Sequence, residues 1–146
     1  DARAGREVFF NRGQCAVCHR VSGQGQATGP DLSEVGTKLA RPALFDSILY
    51  PSAAISHDYE GYVAEMVDGR VVTGLLVNRN EREIQLRDQQ GTLQTLERDE
   101  VQSFNRLAVS LMPEGLHQLM TTRELIDLVA YLSSLTRAEG AGEEGQ

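Results

Sequence analysis

Both cysteines of the chain lie in the stretch "QCAVCHR", residues 14–20, as Cys15 and Cys18, and one of its three histidines, His19, follows directly. Two thiols so close together can form a disulfide, contribute to a zinc site, act as a thiol redox couple, or attach a haem. Only the last also needs an imidazole immediately after the second cysteine. A c-type haem offers two vinyl groups, each of which takes one thiol as a thioether. A single tight turn between the cysteines lets both sulfurs reach it and delivers the next residue beneath the iron, so C-x-x-C-H is the signature of that attachment. A structural zinc site needs four ligands, and His57 and His117 could complete one only at spacings unlike those of zinc fingers. A thioredoxin-like couple belongs between a buried strand and a helix, whereas this motif follows "FFNRGQ", the end of a helical pattern. A plain disulfide leaves His19 without a purpose.

An iron held from below by His19 has a sixth position, and Met66, Met112, Met120, His57 and His117 are the candidates for it. Met66 falls in an alternating, strand-like stretch and reads as core, and packing accounts for Met120. The two histidines read as surface residues. Met112 stands in "SLMPEG", where Pro113 and Gly115 force an irregular loop able to aim a thioether at a metal. Met112 is therefore the expected ligand. A thioether favours ferrous iron and raises the reduction potential, and a six-coordinate iron is suited to passing single electrons.

These residues need elements to hold them. "ARAGREVFFNRGQ" reads as a helix from about Arg3 to Asn11, ended by Gly13, with Ala4, Val8 and Phe9 on its buried face. "VSGQGQATGP" is glycine-rich and expected to be loop. Leu32, Val35, Gly36 and Leu39 recur at helical spacing. In "RPALFDSILYPS", Pro42 suits a first turn, Leu44, Phe45, Ile48 and Leu49 form a stripe, and Pro51 stops the helix. After Tyr59 the pattern changes. β-branched residues flank the turn at Asp68-Gly69, and Ile84 and Leu86 alternate with Glu83, Gln85 and Arg87 ahead of a turn near Gly91. Four short strands are expected between about Tyr62 and Glu97, sharing one apolar face. The last helix, in "TTRELIDLVAYLSSL", opens on a capping box of Thr121 and Glu124 and lines one face with Leu125, Leu128, Val129, Leu132 and Leu135.

The chain has 146 residues, of which 40% are hydrophobic and 24% charged, the mixture of a single globular domain. The expected domain covers residues 1–137, with 138–146 a polar, glycine-rich tail. A formal net charge of −7 argues against nucleic acid, whose phosphates need a basic face. No apolar run is long enough to span a bilayer. The chain begins at Asp1 rather than Met, as expected of a processed mature protein or an excised domain.

"GREVFFNRGQCAVCH", "GPDL", "SLMP" and "ELIDLVAYL" together resemble class I c-type cytochromes. The resemblance covers roughly Ala2 to Pro51 and Ala108 to Leu135. It implies that Gly5 and Phe9 lie where the first helix crosses the last near Tyr131 and Leu132. It also implies that the Pro30 carbonyl accepts a hydrogen bond from His19 Nδ1, fixing the tautomer, and that Leu32 packs on the haem. The middle of the chain departs from an ordinary member. "GPDLSEVG", "SILYPSAAI", the pair Tyr59 and Tyr62, "DGRVVTGLL" and "SLMPEGL", in this order, resemble the haem-binding domains of planctomycete and verrucomicrobial proteins, modules of larger secreted proteins that often adjoin dehydrogenase-like domains. The implied fold class is α+β: a mainly α cytochrome c fold with a four-stranded antiparallel insertion, about residues 60–98, between the central helices and the Met loop.

The expected function is one-electron transfer, not enzymatic catalysis, by one haem c bound through Cys15 and Cys18, ligated by His19 and Met112 and bordered by Pro30 and Leu32. Covalent attachment implies maturation outside the cytoplasm, so a periplasmic or otherwise extracytoplasmic site is expected. The partner would be a redox protein or a fused dehydrogenase domain, and the insertion could dock such a neighbour, join a second copy of the chain as a dimer, or cover the haem. Two other classes compete: a haem enzyme or gas sensor with a labile Met112, and a haem-free interaction module with a disulfide.

Overall fold

The computed structural model describes residues 1–137; the expected tail, 138–146, lies outside them. Helix α1 (Ala2–Phe10) starts at Asp1, whose carboxylate accepts from the backbone N–H groups of Arg3 and Ala4. Its buried residues are Gly5, Val8 and Phe9; Ala4 is only half-buried. Gly5 replaces it on the inner face because there α1 crosses the last helix, α4 (Thr122–Ser134). A side chain at Gly5 would put its Cβ 1.8 Å from the Asp127 carbonyl oxygen and 2.8 Å from Tyr131 Cβ. Phe9, fully buried, meets the Tyr131 ring edge-to-face at 5.8 Å. The crossing expected at Gly5 and Phe9 is thus observed. α4 carries the expected capping box, with Thr121 and Glu124 satisfying each other's backbone N–H, and it buries Leu128, Val129, Tyr131 and Leu132.

Two short helices complete this layer. α2 (Val35–Lys38) is a single turn, shorter than the spacing from Leu32 to Leu39 predicts, because Leu39 is already extended. α3 (Arg41–Leu49) has proline in its first turn and buries Leu44 and Ile48. Together these helices enclose one core of Val8, Phe9, Val21, Val35, Leu44, Ile48, Leu128, Val129, Tyr131 and Leu132.

The chain then builds a separate sheet, and here the expectation of four strands is corrected. Five strands pair antiparallel: β3 (Gly61–Met66), β4 (Val71–Arg79), β5 (Glu83–Arg87), β6 (Leu93–Glu97) and β7 (Val101–Arg106), in the order β6-β5-β4-β3-β7. The insertion therefore runs on to Arg106 instead of stopping near residue 98. A smaller correction concerns the glycine-rich stretch, which contains a two-residue hairpin, β1 (Arg20–Val21) with β2 (Gln24–Gly25). The five-stranded sheet cannot be flat. β6 and β7 are its opposite edges, about 19 Å apart across four interstrand spacings in a flat sheet, yet only the short turn Arg98–Glu100 joins them, a reach of about 14 Å. The sheet must curl, and its register shifts at Glu65/Met66 and Leu76/Asn78 are the irregularities that bend strands. Inside the curl lie Ala64, Met66, Ile84, Leu86 and Leu96, each at most 4% exposed. The Leu107 N–H donates to the Gly61 carbonyl at 2.8 Å, so the sheet enters and leaves the helical layer at one point.

Candidate functional site

Cys15, Ala16 and Val17 form a single 3₁₀ turn, entered through Gln14 in a left-handed conformation. In a 3₁₀ turn residues three apart come round to nearly the same side, and Cys18 follows Cys15 at that spacing as the residue that ends the turn. The N–H groups of Cys18 and His19 both donate to the Cys15 carbonyl, at 3.2 and 2.8 Å, which closes the turn and starts His19 directly beneath it. Val17 between them is 58% exposed, so the outer side of the turn faces solvent. The two sulfurs are not bonded to each other.

The segment that follows folds back on this turn. Gly25, with φ of +99°, lets the chain pass so close that a Cβ there would lie 2.2 Å from the His19 carbonyl oxygen. The Gly29 N–H donates to the Cys18 carbonyl at 2.7 Å, and the Leu32 N–H to that of Arg20 at 2.8 Å. The result places the Pro30 carbonyl oxygen 2.8 Å from His19 Nδ1. A carbonyl only accepts, so Nδ1 carries the proton and the lone pair is on Nε2. Gly29 lies against the same ring, where a Cβ would sit 2.9 Å from Cε1. Burial lowers the His19 pKa, the Pro30 bond pulling the other way, so the ring is neutral at pH 7.

The thiols are equally telling. Burial, with a smaller contribution from Cys18, pushes Cys15 up to about 11, and burial raises Cys18 too. A thiol redox couple needs the reverse, a stabilised thiolate. Among the described residues no group of three or more His, Cys, Asp or Glu is arranged to hold a metal ion. Two protonated sulfurs on one side of a turn, followed by a neutral imidazole with a free Nε2, fit the attachment of a c-type haem.

Of the other residues expected at the site, Leu32 and Met112 are half-buried against the helical core that Cys15 also touches. Met66 is buried in the sheet's own core, whereas Met120 packs on the helical core as Met112 does. His57 is exposed and near Glu60. His117, read from sequence as a surface residue, is half-buried, with Nδ1 buried and lacking a partner. Arg20 Nε, one residue beyond His19, is buried and unpartnered as well. Such atoms are uncommon in native structures. A shallow open cleft at the β4–β5 turn, lined by Asn80, Glu81, Arg82 and Glu83, contains none of these residues.

Sequence reasoning missed two sets of contacts. The Met112 N–H donates to Ser110 Oγ at 3.1 Å, and the Ser110 N–H to Ser52 Oγ at 3.0 Å. At the sheet's far end, the β5–β6 turn lies against the loop beside His19, a Cβ on Gly91 falling 3.5 Å from Thr28 Oγ1. The signals were faint: serines flanking a Pro-ended helix and a Met, and a glycine in a turn.

No helix among the described residues is long and apolar enough to cross a membrane. No curated protein matches the chain. The family model described as "Cytochrome c" matches residues 2–90, a span that holds Cys15, Cys18, His19, Pro30 and Leu32 and stops before Met112. That match covers more than half of the sequence and agrees with the attachment turn, and the family carries covalently bound haem c and transfers electrons: the chain belongs to the cytochrome c family.

Proposed function

We propose that the chain is a one-electron carrier domain in which Cys15 and Cys18 would hold a haem c through thioethers, and His19 Nε2 and the Met112 thioether would ligate its iron. When bound, haem c supplies the ferric/ferrous couple. The single observation that carries this reading is the His19–Pro30 bond at 2.8 Å, made directly after the tight turn that carries the two cysteines. The carbonyl holds the ring in one orientation and tautomer, so the ligand is in place before and after electron transfer, and the bond makes the imidazole a better donor. Leu32 and the helical core exclude water from the inner side. The curled sheet is proposed to cover one edge of the site. Its root touches Leu111, beside Met112, and its far turn touches Thr28, two residues before Pro30, so it bridges the loops that carry the two ligands.

The carrier works outside the cytoplasm, where such attachment is made, and serves a redox partner protein or an adjoining dehydrogenase domain. With a net charge of −7, it meets a basic face, and turnover with the partner falls as salt rises. The test is the spin state of the matured protein with its response to carbon monoxide. Low-spin iron in both oxidation states, with no carbon monoxide bound at low concentration, is expected. High-spin resting iron and ready binding would instead make this a sensor or enzyme with Met112 displaced.

A further inference from the structure

Met112 belongs to a short irregular segment between β7 and α4, and three separate contacts fix that segment. Ser52, just beyond the end of α3, accepts from the Ser110 N–H at 3.0 Å through its hydroxyl. Ser110 in turn accepts from the Met112 N–H at 3.1 Å. Leu111, between them, lies on the other side: its Cγ would be 3.0 Å from a Cβ added to Gly61, the buried first residue of β3. Consecutive residues thus grip opposite layers. Leu111 is seated on the root of the sheet, and Met112 packs against the helical core. Gly61 is itself pinned by the 2.8 Å bond to the Leu107 N–H. An irregular loop otherwise samples many conformations, and each such contact reduces them.

We propose that Ser110 is a positioning residue for the distal ligand: by linking Ser52 to the Met112 backbone it holds the Met112 side chain against the helical core and sets how readily an external ligand displaces it. The proposal rests on the assignment of Met112 as ligand made above. The Ser110 hydroxyl must donate elsewhere while it accepts from Met112, so alanine removes the acceptor and leaves the Met112 N–H without its partner. Threonine keeps the hydroxyl. Net loss of one such bond corresponds to about a three- to tenfold change in an equilibrium constant.

The experiment titrates the matured, full-length ferric protein with imidazole, following the weak red absorption band that a thioether gives to ferric haem. Wild type, Ser110→Ala, Ser110→Thr and Met112→Ala are compared, with thermal melts alongside. Ser110→Ala is expected to bind imidazole about three- to tenfold more tightly, with the band present but lost at lower imidazole, and Ser110→Thr to return within about twofold of wild type. Equal imidazole affinity in wild type and Ser110→Ala, with the band present in both, overturns the positioning role. A band already missing in wild type, with Met112→Ala binding imidazole no more tightly than wild type, overturns the Met112 assignment instead. Should Ser110→Ala melt too early to titrate, Ser52→Ala, which keeps the Ser110–Met112 bond but frees Ser110 from the segment after α3, is expected to tighten imidazole by a smaller factor, and no change there counts against the proposal.

Discussion

Gly5 is where the structure exposes its own logic to the simplest perturbation. Alanine favours an exposed helix interior over glycine by about 1 kcal/mol, so helix propensity alone predicts that Gly5→Ala stabilises the protein. The crossing predicts the opposite. The added Cβ would stand 1.8 Å from the Asp127 carbonyl oxygen, 2.4 Å from its carbon and 2.8 Å from Tyr131 Cβ, atoms that cannot swing away as a flexible side chain could. Restoring ordinary contact requires α1 and α4 to part by roughly 1.5 Å, and a gap of even 1 Å forfeits up to about half of each dispersion contact across it. Phe9 and Tyr131 meet across that seam, and they and the buried Val8, Leu128 and Leu132 of the core the two helices share are each worth about 1.5–3 kcal/mol when fully packed. Losing part of several of them outweighs the propensity gain, for a net destabilisation of about 3 kcal/mol. That lowers Tm by about 6–12 °C for a chain of this size. Guanidinium unfolding followed by circular dichroism should show a lower midpoint with an unchanged slope, while Arg3→Ala, exposed on the same helix, stays within about 0.5 kcal/mol of wild type. An equal or higher midpoint for Gly5→Ala would refute the crossing at that residue and the packing argument with it.

Gly29→Ala pushes a methyl group to 2.9 Å from His19 Cε1, displacing the ring and stretching its bond to Pro30. A weaker bond makes a poorer donor, so potentiometry should find the midpoint raised by about 20–40 mV; an unchanged potential would mean the ring is not held by this loop. The Thr121 backbone N–H, with a smaller contribution from Arg12, holds the Glu124 carboxyl below its usual range. A carboxyl depressed in the folded state stabilises the protein above its unfolded pKa and loses that contribution as pH falls through the folded value. The Tm difference between wild type and Glu124→Gln should therefore be largest near neutrality and shrink with acidification below about pH 4.5. A gap that widened in acid would contradict it. Excising residues 62–106 should be tolerated by the helical layer, because Gly61 and Leu107 are already joined by a 2.8 Å hydrogen bond. If the sheet covers the haem edge, water then gains access and the potential falls by tens of millivolts, whereas a constant potential removes the covering role.

The parts of this molecule legible in sequence are those whose causes are local. The capping box at Thr121 and Glu124, the proline-led α3 and the turn of Cys15 and Cys18 each depend on residues three or four apart, and periodicity reveals them. β7 was missed because Val101–Arg106 follows β6 after a 3₁₀ turn without a glycine or proline to announce it, and its polar Gln102, Asn105 and Arg106 obscure the alternation. The clamp on Met112 joins Ser52 to Ser110 across 58 positions, and the contact of Gly91 with Thr28 spans as large a gap. Neither leaves a trace in any window of sequence. His19 and Pro30 are 11 residues apart, and only the resemblance to class I cytochromes, not spacing, joined them in advance.

The most direct measurement of the central claim is the proton NMR spectrum of the reduced, matured protein. A thioether held over a low-spin ferrous haem places its methyl group in the ring current, far upfield of all other resonances. One such three-proton signal is expected, assigned to Met112 and abolished by Met112→Ala. Its assignment to Met120, or its absence from the reduced wild-type protein, would contradict ligation of the iron by Met112.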